Sequence, residues 1–164
     1  MTRHQEEVTR AFEDAREDVY CYLLTFGLAP PQAQEATQEV FLRMYLALQN
    51  HARIDDTRAW LFRVAHNLGL DMRAKRQPLP ITPAMEAALR DTSRSVEADL
   101  LERERMEQLS EAWKTLSPQQ RQCLHLRAEG LRYREIAETM GIAISSVREF
   151  LSRGILRLQR AVHE

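Results

Sequence analysis

Residues 130–154, GLRYREIAETMGIAISSVREFLSRG, have the spacing of a helix-turn-helix, a unit that can hold basic side chains against DNA. Ala137 is small enough for two helices to touch, and Gly141, four residues later, permits the turn between them. The flanking apolar residues are Ile136, Met140, Ile142, Val147 and Leu151. The outward residues that can meet phosphates or base edges are Arg148, Ser152, Arg153 and Arg157. An ordinary helical hairpin needs the same core, so the spacing favours DNA binding without deciding it.

The sequence has none of the common motifs of redox, metal-binding, nucleotide-binding or hydrolytic sites. Cys21 and Cys123 are far apart, and we expect buried small apolar residues, with a redox pair as the weaker alternative. The five histidines do not fall three or four residues from one another or from a cysteine, so zinc-ligand spacing is absent. A Gly-rich phosphate loop and a Gly-x-Ser-x-Gly elbow are also absent. We therefore expect no metal, no cofactor, no catalytic residue and no enzymatic activity.

Apolar runs are too short for a membrane span, which needs roughly 18 to 20 residues. The N-terminal residues MTRHQEEVTR lack the apolar core of a signal peptide. We therefore expect a cytoplasmic protein without membrane insertion.

Charge is distributed unevenly along the 164 residues, although the net charge is only -1. Residues 53–76 carry six Lys or Arg against three Asp, and residues 106–164 carry nine basic against seven acidic side chains. Acidic residues are in excess over 1–52 and 77–105. The two mildly basic segments are the local asymmetry that nucleic-acid binding requires.

Few Gly and Pro, and long stretches of good helix formers, predict an all-α protein. Apolar periodicity predicts helices over residues 6–26 and 30–50, and a third helix that begins at Asp55 or Asp56. The expected inward residues of the second helix are Ala33, Ala36, Thr37, Val40, Phe41, Met44 and Leu48. Those of the third helix are Trp60, Leu61, Val64, Ala65, Leu68 and Met72. Three such helices can close one small core.

Three prolines within residues 77–83 interrupt the helical pattern and predict a domain boundary. Helical spacing then resumes, with Val96, Leu100, Leu101, Met106, Leu109, Trp113 and Leu116 expected inward. Ser117 and Gln120 predict a capping box, and Pro118 fits the first turn of the helix that follows. We expect two small helical domains, residues 1–76 and 106–164, joined by a linker over 77–105.

The two halves together resemble the extracytoplasmic-function (ECF) group of the sigma-70 family of bacterial RNA polymerase sigma factors. QAQEATQEVFLRMYLAL is similar to the family's signature helix, with Glu35, Gln38 and Phe41 in the family's order. RAWLFRVAHNLGLDMRAKR, residues 58–76, is similar to the segment that reads the promoter's −10 element. LSPQQRQCLHLRAEGLRYREIAETMGI resembles region 4, whose helix-turn-helix reads the −35 element. The resemblance covers nearly the whole chain and implies a region 2 bundle followed by a region 4 domain.

A non-catalytic subunit that directs polymerase to promoters is the function that this resemblance implies. The C-terminal domain would bind the −35 element, and the N-terminal domain would open the −10 element. The implied partners are promoter DNA and core RNA polymerase, through its β′ clamp helices and β flap. An anti-sigma factor is a further candidate partner, since one often holds small sigma factors inactive.

The resemblance also implies a polymerase-binding face on the signature helix. Its matching residues are Glu35, Gln38, Glu39, Leu42 and Arg43, with Tyr45 beside them. An ordinary solvated helix face is the alternative that the residues alone leave open.

For the −10 element, the resemblance points to Asn67, because relatives use an Asn at this position to take up a base flipped out of the non-template strand. Phosphates of the opened strand would be held by Arg63, Arg73, Lys75 and Arg76. The alternatives are a helix-end Asn and a solvated basic helix end. Trp60 and Phe62 could stack on unpaired bases, although we expect Trp60 in the core.

For the −35 element, the matching residues are Ser145, Ser146, Arg148, Glu149, Ser152, Arg153 and Arg157. This recognition helix departs from the family, in which a basic residue, Ser and Arg are common at positions 148 to 150. Here Glu149 and Phe150 follow Arg148, and Ala143 replaces a common capping Ser. Glu149 repels phosphate unless it accepts from a cytosine amino group. Weaker −35 contact or an unusual sequence preference is therefore expected.

Two other functions remain open from the sequence. A helix-turn-helix regulator would bind DNA without polymerase and without residues 1–76. A sigma-like adaptor would bind polymerase or another protein but not DNA, so it would lack the steep fall of DNA affinity with salt. An enzyme is the least favoured class.

Overall fold

The computed structural model describes residues 1–75 and 100–163, which are helices joined by turns and short loops, without a strand in these two ranges. The all-α prediction is confirmed. The helices are α1 (Arg3–Leu24), α2 (Pro30–Gln49), α3 (Thr57–Ala74), α4 (Leu100–Thr115), α5 (Pro118–Ala128), α6 (Tyr133–Met140) and α7 (Ile144–His163). Contacts divide the chain into two compact units, Met1–Pro80 and Ile81–Glu164. Arg76, Val96 and most of the expected linker lie outside the described residues.

The first unit contains α1, α2 and α3, and each of these helices contacts the other two. Local capping sets their starts. Thr2 and Gln5 form a reciprocal capping box at α1, so this helix begins three residues earlier than the periodicity predicts. Pro30 and Pro31 lie in the first turn of α2, and Asp56, one of the two predicted caps, accepts from the Ala59 amide at 3.1 Å. These caps and prolines fix where each amphipathic helix enters the core.

The core of the first unit confirms the predicted inward face of α2 in full, since all seven residues are buried. On α3 the buried face is wider and rotated. Leu61, Ala65 and Leu68 are buried as expected, but Phe62 and His66 are buried too. The predicted inward residues Trp60, Val64 and Met72 are only partly buried. The reason is that Phe62 and His66 contact Tyr22 and Phe26 at the end of α1, so the buried arc of α3 extends beyond the predicted apolar stripe.

An aromatic cluster joins the end of α1 to the middle of α3. The Tyr22 ring meets Phe62 edge-on at a centroid distance of 5.5 Å and Phe26 at 5.6 Å. The Tyr22 hydroxyl lies 2.7 Å from Nδ1 of His66 in a buried hydrogen bond. Gly69 completes the contact, because a Cβ there would lie 2.7 Å from the Phe26 ring. The cluster therefore fixes the rotation of α3 about its own axis.

His66 should make the stability of the first unit depend on pH. Burial lowers the pKa of His66 from its usual 6.5 to about 4. Between these values the unfolded chain binds more protons than the folded chain, so stability rises with pH across this window. We expect the free energy of unfolding to fall by about 2 kcal/mol from pH 7 to pH 5 through this residue. Urea denaturation at the two pH values measures the fall.

The control for this prediction is His66→Gln, whose side-chain oxygen can still accept from the Tyr22 hydroxyl but does not titrate. In this variant the free energy of unfolding should still depend on pH through the carboxylates, but it should no longer contain the contribution of His66. Equal falls in stability for the wild type and the variant between pH 7 and pH 5 would refute the assignment.

The second unit contains α4 to α7, and α7 contacts each of the other three helices. The predicted capping box is confirmed at α5, where Ser117 and Gln120 exchange backbone-to-side-chain hydrogen bonds of 3.0 and 3.1 Å. Gly154 of α7 packs against α5, since a Cβ there would lie 2.9 Å from Cδ1 of Leu124. The small residue thus permits close approach of the two helices.

The first turns of α4 correct the predicted inward face of this helix. Leu100, Leu101 and Met106 are 70%, 54% and 51% exposed, whereas Ala112 and Leu116 are buried. Leu109 and Trp113 are partly buried. Residues 100–105, which the prediction assigned to the linker, are also helical. Periodicity shows which residues share a helix face, but only packing shows where along the helix that face is covered.

Candidate nucleic-acid interface

The helix-turn-helix consists of α6, the turn at Gly141 and α7. Gly141 adopts a left-handed conformation with φ +67°, and the Ile142 amide donates to the Ala137 carbonyl at 3.1 Å. Non-glycine residues are disfavoured there by roughly 1–2 kcal/mol. Ala137 is buried between the helices, as are Ile136, Val147 and Leu151. The predicted spacing of small, apolar and turn residues is therefore realised.

The recognition helix α7 has one buried and one exposed side. Val147, Leu151 and Gly154 are buried in the second unit. The exposed residues of its first three turns include Ser145, Arg148, Glu149, Ser152 and Arg153, while Ser146 is partly buried. At 100° per residue, Glu149 lies nearly opposite the buried residues, with Ser145 and Ser152 beside it. The predicted −35 residues in these first three turns therefore lie on or beside one exposed face.

An ion pair lies on this exposed face. Nη2 of Arg153 is 2.7 Å from Oε1 of Glu149, four residues earlier on the helix. Both side chains remain more than half exposed. The Glu149 carboxylate is therefore partly neutralised where a negative charge would otherwise repel a phosphate.

Arg157 differs from the other predicted −35 residues. Its Nη1 donates to the Thr115 carbonyl at 2.7 Å, at the end of α4. A helix end leaves carbonyls without an intrahelical donor, and a guanidinium can satisfy one of them. The structure thus shows a capping contact for Arg157, a role that sequence spacing does not reveal because α4 and α7 are far apart in the chain.

On α3, the residues predicted to meet the −10 element lie on the side away from the core. Arg63 and Asn67 are exposed one turn apart, and Arg73 and Lys75 are exposed at the end of the helix. Phe62 is 0% exposed, so the idea that Phe62 stacks on unpaired bases is wrong for the packed helix. Trp60, which we expected in the core, is only partly buried.

The exposed face of α2 brings together the residues predicted to bind polymerase. Glu35, Gln38 and Arg43 are exposed, and Leu42 is 50% exposed. Nε of Arg43 forms an ion pair with Oε1 of Glu39 at 3.2 Å. Leu46, which the prediction missed, is 47% exposed. Its position four residues after Leu42 was a usable signal, since residues at this spacing share a helix face.

Within residues 1–75 and 100–163, no group of His, Cys, Asp and Glu has a geometry that could hold a metal ion. In the same residues, no helix is long and apolar enough to cross a membrane. Cys123 is buried, as expected, and burial raises the pKa of its thiol to about 11. Cys21 is only partly buried. The predicted site residues within the described ranges thus lie mainly on exposed helix faces.

Two protein-family models match the chain. Sigma-70 region 2 matches residues 11–78, and sigma-70 region 4 matches residues 106–158. These ranges contain the exposed faces of α2 and α3 and most of the helix-turn-helix domain, respectively. Together the two models cover more than half of the chain.

Curated relatives belong to the same family. The chain is 32% identical over 147 residues to the ECF RNA polymerase sigma factor SigE of Mycolicibacterium smegmatis, covering 84% of this chain and 55% of the relative. It is 29% identical to the ECF RNA polymerase sigma factor BldN of Streptomyces coelicolor, covering 92% of this chain and 58% of the relative. The chain thus spans somewhat more than half the length of these two relatives.

Solved structures share the fold. The sigma factor RpoE of Bartonella quintana, in complex with the anti-sigma factor NepR, aligns with a TM-score of 0.67 and 17% identity, covering 96% of this chain and 98% of that chain. CnrH, in complex with the cytosolic domain of CnrY, aligns with a TM-score of 0.61 and 18% identity, covering 97% and 89%. With regions 2 and 4 matched in order and ECF sigma factors among its relatives, the chain belongs to the ECF group of the sigma-70 family.

Proposed function

We propose that this protein is a promoter-specificity subunit of RNA polymerase: it binds the core enzyme, binds the −35 element through α7 and opens the −10 element through α3. The observation that supports the proposal is that one chain has two exposed faces suited to nucleic acid. The α3 face carries Asn67 and Arg63, and the helix-turn-helix face carries Arg148 and Arg153. A regulator that used the helix-turn-helix alone would not need the first of these faces.

Strand opening is assigned to α3. The Asn67 amide can both donate to and accept from a base edge, and it lies on the exposed side of α3. The aromatic cluster of Tyr22, Phe26 and Phe62 holds the opposite side of α3 in the core. A base that leaves the stack loses a few kcal/mol of stacking and pairing, which contacts to the extruded base must offset. Four basic residues on α3 or directly after it are proposed to hold the backbone of the opened strand: Arg63, Arg73, Lys75 and Arg76.

Polymerase binding is assigned to the exposed face of α2. Leu42 and Leu46 supply exposed apolar area at its centre. Charged and polar side chains surround these two leucines, including Glu35, Gln38 and the Glu39–Arg43 ion pair. An apolar centre with a polar rim is typical of protein interfaces. We propose the β′ clamp helices as the partner of this face, and the β flap as a partner of the second unit.

Binding of the −35 element is assigned to the helix-turn-helix. Ser145, Arg148, Glu149, Ser152 and Arg153 would face the major groove, with Ser146 at their edge. Arg157 donates a hydrogen bond to the Thr115 carbonyl, and we propose a phosphate contact as its second role.

Because the compartment that holds RNA polymerase is the cytoplasm, we propose that the protein acts there. An anti-sigma factor is proposed as a regulator, since the structural neighbour RpoE was solved in complex with the anti-sigma factor NepR.

Transcription on a genomic fragment library tests this function. Core polymerase with the purified protein should initiate at a limited set of positions, and mapping these start sites should yield shared −35 and −10 elements. Core polymerase alone should not initiate at these sites. A folded protein that directs core polymerase to no promoter contradicts the proposal. DNA binding that persists without polymerase and without residues 1–76 would instead support a helix-turn-helix regulator.

A further inference from the structure

Glu149 is the acidic residue within the exposed −35 face of α7, and this position is unfavourable for a general DNA-binding surface. A carboxylate is an acceptor without hydrogen-bond donors, and phosphate oxygens are acceptors as well. Against the DNA backbone, Glu149 would therefore be repelled. It can be accommodated in the major groove only opposite a base that offers a donor.

The 2.7 Å contact with Arg153 places an acceptor and a set of donors side by side. Oε1 of Glu149 is the oxygen of this ion pair, and its Oε2 atom can accept a hydrogen bond. The guanidinium has five N–H donors, which is more than one ion pair can use. The pair therefore presents acceptor and donor groups next to each other towards the groove.

Among the four base-pair orientations, a C·G pair complements this arrangement. Its major-groove edge presents the N4 amino donor of cytosine beside the O6 and N7 acceptors of guanine. Adenine also has an amino donor, but its own N7 acceptor lies next to that donor and would face the carboxylate. Thymine presents an acceptor and a methyl group.

We propose that the Glu149–Arg153 ion pair reads one C·G base pair of the −35 element, with Glu149 accepting from cytosine N4 and Arg153 donating to the guanine of the same pair. This inference rests on the proposed function and adds a base identity to it. It also explains how a recognition helix can carry a carboxylate: the carboxylate discriminates between bases, and the arginine offsets its charge. We assign the phosphate contacts, whose contribution to affinity falls as the salt concentration rises, to other residues such as Arg148.

The test uses holoenzyme assembled from core polymerase and the full chain. A promoter found in the fragment library is randomised across its −35 element, and transcript abundance gives the preference at each position. The wild type should prefer C·G at one position. Gln presents both an acceptor and a donor, so in the Glu149→Gln variant the ratio of transcription from C·G to transcription from the other base pairs should fall by about 5- to 150-fold. This variant should favour A·T at the same position.

A chemical substitution in the DNA isolates the proposed contact. Cytosine at the preferred position is replaced by 2-pyrimidinone, which lacks the N4 amino group. The wild-type holoenzyme should lose affinity for this promoter relative to the unmodified one, whereas the Glu149→Gln holoenzyme should show little further loss.

Glu138→Gln is the matched control, because Glu138 forms the same type of ion pair with Arg134, at 3.4 Å, on α6 instead of α7. This variant should leave the −35 preference unchanged. If Glu149→Gln raises transcription equally from all −35 sequences, the carboxylate only repels DNA, and the proposal is overturned. A base preference that Glu149→Gln leaves unchanged would overturn it as well. If no promoter is found for the wild type, the proposed function itself fails, an outcome distinct from either of these.

Discussion

Replacing Asn67 with Ala is expected to reduce open promoter complexes by roughly 10- to 100-fold while the complex with core polymerase still forms. Asn67 is exposed on α3, so the substitution removes no core contact. What the variant loses is the amide that would donate to and accept from an extruded base. Because each 1.36 kcal/mol changes a rate tenfold, the loss of one or two such hydrogen bonds accounts for the expected range.

Two measurements separate opening from binding in this experiment. Permanganate reactivity of unpaired thymines reports strand opening, and co-elution with core polymerase reports assembly. The chain offers a matched control in Asn50→Ala, because Asn50 is its other asparagine and is exposed at the end of α2. That variant should open the promoter as the wild type does. Wild-type permanganate reactivity in the Asn67→Ala complex would contradict the assignment.

Replacing Phe62 with Ala is expected to destabilise the first unit by about 3–5 kcal/mol. Phe62 is 0% exposed and lies edge-on to Tyr22, so the substitution leaves a cavity in the aromatic cluster. Small domains have a total stability of about 5–15 kcal/mol. The variant is therefore expected to lose much of the stability that keeps α3 packed against α1.

Tryptophan fluorescence can follow this loss in the first unit alone. Trp60 lies in α3 and Trp113 lies in α4, so a Trp113→Phe background leaves one reporter in the first unit. Urea denaturation then gives the free energy of unfolding for Phe62→Ala and for the control Phe62→Leu. The leucine variant keeps most of the volume and should lose less than the alanine variant. A loss below 1 kcal/mol for Phe62→Ala would show that the cluster contributes little.

Phe62→Ala and Asn67→Ala also test opposite sides of the same helix. Phe62→Ala should lower stability first and promoter opening as a consequence. Asn67→Ala should lower opening at unchanged stability. This contrast distinguishes a residue that supports the face of α3 from one that contacts the base.

The sequence alone predicted the helices, the caps at Asp56 and Ser117 and the turn of the helix-turn-helix, but not the Thr2 cap of α1. These features depend on neighbours within about four residues, such as the capping box of Ser117 and Gln120 and the left-handed turn at Gly141. The inward face of α2 was also predicted in full, because this helix buries a single stripe whose period is visible in the chain. For the site residues, the sequence supplied types and spacing, and the resemblance supplied their roles.

Tertiary packing decided what the periodicity left open. Phe62 and His66 of α3 contact the rings of Tyr22 and Phe26 at the end of α1, so they are buried rather than available to a nucleic acid. The first turns of α4 have a regular apolar face, yet Leu100 and Leu101 on it are exposed.

The same distinction applies to individual contacts. Arg157 reaches the Thr115 carbonyl from 42 residues away, a contact that no local pattern encodes. Residue types and spacing are properties of the local chain, whereas burial and long-range hydrogen bonds depend on which faces meet when the helices pack.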